Sequence, residues 1–127
     1  MRERLLAAGL FGVLGATGCG SAAGAEPVAL KCEPGTAAIA ALCDAIRNEL
    51  VQRGHRIDTD RAGTELVLTA NAPRVDIIWA RLDVIRDGTR HRGEQGELSV
   101  MDRADLPPQQ LEFFARALID RAGAPLR

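Results

Sequence analysis

The stretch from Ile77 to Gly88, "IIWARLDVIRDG", restricts the fold more than any other part of the chain. Ile78, Ala80, Leu82 and Val84 recur at every second position, the period of a half-buried strand. Asp87-Gly88 follows, a residue pair that accepts positive φ at both turn positions and marks a two-residue hairpin. A strand over 74–86 and a return strand over 89–101 are therefore expected. That turn would pair Asp83 with Arg92 and Arg81 with Glu94, both of opposite charge, and set Trp79 over Gly96. Continued unbroken, the same register puts Leu98 beside Ile77, away from the apolar series. Leu98 and Val100 reach the core face only if one extra residue enters the return strand. Gly93 and Gly96 are sites that accept an insertion, and a β-bulge is predicted near Gly96.

The other segments have their own periods. "EPVALKC" (26–32) alternates and predicts a short strand, with Val28, Leu30 and Cys32 on one face. From Thr36, an N-cap residue, the spacing changes. Ile39, Leu42, Cys43, Ile46 and Leu50 recur at three and four residues, one face of a helix, which Gly54 ends. "HRIDTDRAG" (55–63) is a short strand or loop in which Asp58 and Asp60 are turn residues. "ELVLTAN" (65–71) alternates again, and Ala72-Pro73 is expected to turn the chain. Asp105, Pro107 and Pro108 open a last helix, with Leu111, Phe114, Ala115 and Leu118 as its buried stripe.

The order β-α-(β)-β-β-β-α predicts an α+β two-layer sandwich, a mainly antiparallel sheet with two helices on one face. The opposite face would then carry Val67, Thr69, Val75, Ile77, Trp79, Ile85 and Met101. A solvated sheet face is expected to be mostly polar. Val67, Ile77, Trp79 and Met101 are therefore the candidate interaction patch.

Residues 1–25 follow the plan of a bacterial secretory signal peptide. A charged start precedes an apolar run from Leu5 to Leu14, and small residues follow. Two cuts fit. Ala23-Gly24-Ala25 suits the ordinary signal peptidase, leaving a free domain over 26–124. Ala16-Thr17-Gly18-Cys19 fits the loose form of the lipoprotein box, which would make 1–18 the signal and lipidate Cys19. The apolar run is too short for a permanent span. Export to the periplasm is expected either way, with membrane contact only through such a lipid. Of the three cysteines, Cys32 and Cys43 remain. Each lies on the apolar face of its element, and an oxidising compartment favours a disulfide between them.

Catalytic material is sparse. Ser99 is the only serine beyond the signal region, and it falls mid-strand. His55 and His91 sit on separate segments without ligand-like spacing. No phosphate-binding glycine loop or calcium-loop pattern is present. Neither an enzyme nor a cofactor or metal is expected. A net charge of -1 gives no basic face for nucleic acid.

"ELVLTANAPRVDIIWARLDVIRDGT" resembles the strand–strand–D-x-G segment of small envelope domains similar to the amino-terminal domain of TolB. Leu82, Asp83, Val84, Asp87 and Gly88 carry the resemblance, with Leu111 to Ile119 as the closing helix. It implies a strand–helix opening, a meander, and assembly with other envelope proteins. Taken together, these features favour a non-catalytic module that binds an envelope protein or associates with itself. The alternative is an accessory domain that binds a small ligand, or modulates an enzyme, through the 86–97 hairpin.

Overall fold

The computed structural model describes residues 27–100 and 106–126. The expected signal segment with Cys19, and also Met101 and Asp105, lie outside them.

The sequence order is β1 (Pro27–Cys32), α1 (Ala37–Gln52), β2 (Arg56–Ile57), β3 (Thr64–Arg74), β4 (Ile77–Arg86), β5 (Thr89–His91), β6 (Gly96–Ser99) and α2 (Pro108–Asp120). The six strands form one open sheet in the order β2-β1-β3-β4-β5, with β6 also pairing β4. The sheet is mixed. β4 runs antiparallel to β3, β5 and β6. β1 is parallel to both β2 and β3, because α1 carries the chain back to the starting end before β3 begins.

One face of this sheet meets both helices. Leu66, Leu68, Ile78, Ala80, Leu82 and Val84 are buried there, together with Leu42, Ile46 and Leu50 of α1 and Leu111, Phe114, Ala115 and Leu118 of α2. The architecture is therefore the expected α+β sandwich of one sheet layer and one helix layer. α1 starts where its cap residue predicts: Thr36 Oγ1 accepts a 3.3 Å hydrogen bond from the Ile39 amide. α2 starts at Pro108, with Pro107 in the N-cap position and no side-chain cap.

Two expectations about β3 and β4 need correction. The chain does not turn at Ala72-Pro73. β3 continues to Arg74, and β4 begins only at Ile77. Proline is tolerated in β3 because β1 pairs with it only as far as Leu68, leaving that side free of a ladder. A register shift between Asn71 and Arg74 absorbs the irregularity.

The second correction concerns the return strand. Asp87 (φ 54) and Gly88 (φ 78) both have positive φ, as the hairpin turn requires. Near the turn, Val84 pairs with His91 and Ile85 with Arg90. Further along, Ile78 pairs with Leu98 and Trp79 with Glu97. One extra residue has therefore entered the return strand, and Leu98 reaches the core side as predicted. The insertion lies between His91 and Gly96, where the chain leaves β4. The expected pairs Asp83–Arg92, Arg81–Glu94 and Trp79–Gly96 do not form. Arg92 and Glu94 leave the ladder with residues 92–95, and the inserted residue moves Gly96 opposite Ala80.

Candidate functional site

The open face of the sheet is built by the alternate residues of each strand. β4 contributes Ile77, Trp79, Arg81, Asp83 and Ile85. The ladder sets Glu65, Val67, Thr69 and Asn71 of β3 opposite Ile85, Asp83, Arg81 and Trp79. Lys31 of β1 lies beside Val67 and pairs with Glu65 at 3.2 Å. No helix of the described residues packs on this side.

Trp79 is the most prominent group of this face, 40% exposed. Its Nε1 donates a 2.7 Å hydrogen bond to Oε1 of Glu97, directly across β4 and β6. That bond fixes the polar edge of the indole and leaves part of the side chain in water. Ile77 lies two residues away on the same face and is half-buried. Val75, in the turn just beyond, is exposed. The sheet thus brings Ile77 and Trp79 together at its turn end. Val67 shares their face but is set apart, with Thr69 and Arg81 between it and Trp79. Met101, the fourth residue of the predicted patch, lies outside the described residues.

Between these apolar positions sits an element that the sequence pattern did not reveal. Asp83, expected opposite Arg92, has a side chain that is 0% exposed. Its Oδ1 accepts a 3.0 Å hydrogen bond from the Gly93 amide. Arg90 Nε lies 2.9 Å from Oδ2, and Arg81 Nε lies 3.2 Å from Oδ1. Burial pushes this carboxyl up. The Gly93 amide and the two guanidinium groups outweigh it and hold Asp83 below its ordinary value. Asp83 is therefore an anchor for the inserted segment. The sequence signal was present but incomplete: an acid beside two arginines, with no indication that the insertion would fold over it.

The inserted segment is tied down on its other side by the chain that follows α2. Gly123 donates to the Leu82 carbonyl at 3.2 Å, and Glu94 donates to the Arg121 carbonyl at 3.1 Å. The first bond satisfies a backbone acceptor that leaves the ladder where residues 92–95 depart from β4.

Cys32 and Cys43 are joined in a disulfide, with their Cα atoms 6.3 Å apart. The bridge staples β1 to α1 at the strand–helix interface and fits an oxidising, extracytoplasmic compartment. Among the described residues no helix is long and apolar enough to cross a membrane, and no cluster of metal-ligating side chains occurs. Asp58 and Asp60 form a turn, with the Asp60 amide donating to Asp58 Oδ1 at 3.1 Å.

Two concave regions lie at the ends of the sheet. An apolar groove of about 570 Å³ runs between the start of α1 and the β3–β4 turn, with Ala38, Ala41, Pro73 and Leu111 in its walls. A more polar cavity of about 400 Å³ lies at the opposite end of the sheet, beside His55, Thr64 and Arg86. His55, expected in a short strand or loop without ligand-like spacing to His91, is only 6% exposed.

No family model matches the chain, and no curated protein matches it either.

Proposed function

We propose that this chain is a small exported envelope protein. It works in the periplasm as a non-catalytic module, docking another protein or a second copy of itself through the open face of its sheet. The observation that carries this reading is the exposure of Trp79, with Ile77 two residues away, on a face that the helices leave uncovered. A large aromatic with one end hydrogen-bonded and part of its surface in water is the residue type that anchors protein interfaces. The Cys32–Cys43 bridge supports an oxidising compartment. The amino-terminal pattern supports delivery there, with or without a lipid on Cys19. The layout shared with TolB-like amino-terminal domains supports assembly with envelope partners.

The test uses the exported protein and two variants. Trp79→Arg keeps a donor opposite Glu97, so the cross-strand pair survives while the apolar surface is replaced by charge. Sedimentation over a concentration series, with and without envelope extract, should show association in the wild type that Trp79→Arg weakens. Phe113→Arg, on the helical side, should leave it unchanged. Equal association by all three proteins would refute the reading, as would a Trp79→Arg chain that does not fold.

A further inference from the structure

The polar cavity lies where β1 and β3 begin and β4 ends, far from Trp79 along the sheet. His55, Thr64, Arg86 and Asp87 line it, and the tail residues Pro125 and Leu126 form one wall. Its volume of about 400 Å³ falls within the range of small-molecule sites, roughly 300–1,000 Å³.

The polar groups here are mostly donors. Arg86 Nε lies 3.4 Å from Thr64 Oγ1, and Arg86 Nη2 donates to the Pro125 carbonyl at 3.1 Å. These contacts orient the guanidinium without neutralising it. Among the described residues no carboxylate pairs with Arg86, and its Nη1 has no hydrogen-bond partner. Thr64 is almost fully buried; its oxygen accepts from Arg86, so its hydroxyl proton remains to be donated. His55 Nδ1 is buried without any partner. An orphaned buried N–H is costlier than an orphaned lone pair, so the ring proton belongs on Nε2. The imidazole then offers one N–H donor.

We infer that the cavity binds a small carboxylate. The guanidinium supplies the charge, and the Thr64 hydroxyl and His55 Nε2–H supply further donors. A planar carboxylate matches the flat guanidinium edge. Among the described lining residues, Asp87, exposed at the turn, is the one like charge and weakens binding of such an occupant. This inference is independent of the docking face at Trp79, since no residue is shared.

The test is a titration of the full exported protein, disulfide intact, with sodium propionate and in parallel with inorganic phosphate. It is followed by amide and imidazole NMR signals. Propionate should produce saturable shifts at His55, Gly63, Thr64 and Leu126, and phosphate should bind more weakly. Arg86→Gln should weaken propionate binding about tenfold or more, the scale of one charged hydrogen bond. Asp87→Asn should tighten it roughly twofold to threefold by removing the like charge, and Asn tolerates the left-handed backbone there. No saturable shift with propionate overturns the inference, as does unchanged binding by Arg86→Gln. Saturation by phosphate alone overturns the carboxylate assignment. If Arg86→Gln does not fold, Asp87→Asn decides: failure to tighten refutes the site.

Discussion

The Asp83 carboxylate accepts a 3.0 Å hydrogen bond from the Gly93 amide, ten residues further along the chain. This bond joins the middle of the central strand to the segment that breaks out of its partner. The extra residue changes register along β4: His91 pairs on one side of the break and Gly96 on the other. Arg81 and Arg90 close over the same carboxylate, which makes Asp83 the fixed point around which the return strand shifts.

Replacing Asp83 with Asn should therefore cost roughly 2 kcal/mol at neutral pH, because two guanidinium groups lose their shared anion. Urea unfolding measures it. The sign with pH follows from the direction of the shift. The folded carboxyl titrates below its unfolded value of about 3.9, so its contribution is complete above that value. It is lost as pH falls through the lower, folded pKa. The stability difference between wild type and Asp83→Asn should accordingly shrink below about pH 4 and stay constant from pH 5 to 7. A difference that grows on acidification would contradict this role.

Gly93→Ala tests the inserted segment. A Cβ at Gly93 would collide with the Leu82 carbonyl oxygen, so backbone must move, at a cost of about 1–3 kcal/mol. Gly63→Ala is the control. Open space surrounds that position, and stability there should change by less than about 0.5 kcal/mol. Thermal melts of the two variants should separate accordingly.

Much of this fold was legible because its apolar residues keep strict periods. The alternation through Ile78, Ala80, Leu82 and Val84 identified the buried face of β4. The mismatch of Leu98 with that face required an inserted residue in the return strand. Thr36 announced the first turn of α1. Other features depended on tertiary context. Pro73 looked like a turn because proline removes a ladder donor, but the strand on one side ends at Cys32, opposite Leu68, and the ladder on the other side is irregular between Asn71 and Arg74. Asp83 was legible only as a cross-strand partner for Arg92 on the face away from the apolar series Leu82 and Val84. Its burial comes from Gly93 and Arg90, which the insertion brings back over the sheet. The cavity was illegible for a similar reason: His55, Thr64 and Arg86 come from three separate segments, and the carboxy-terminal tail walls them in.

The Cys32–Cys43 bridge should appear in the intact mass of exported protein as a deficit of two hydrogens, restored on reduction. Cys43→Ser should lower stability by about 3 kcal/mol, the loop-closure value for a bridge of this span. Unreduced protein with both thiols free would contradict the assignment and, with it, the oxidising compartment.

The central claim is that the open sheet face around Trp79 docks a protein. The most direct measurement is site-specific photo-crosslinking in living cells. A photoreactive phenylalanine derivative replaces Trp79 in one strain and Phe113 in another. Phe113 is the more exposed of the two, at 60% against 40%, so exposure alone favours the control. The account predicts a discrete, light-dependent adduct from position 79, containing either a second copy of the chain or one envelope protein, and none from position 113. No adduct from position 79, or the same adduct from both positions, would contradict it.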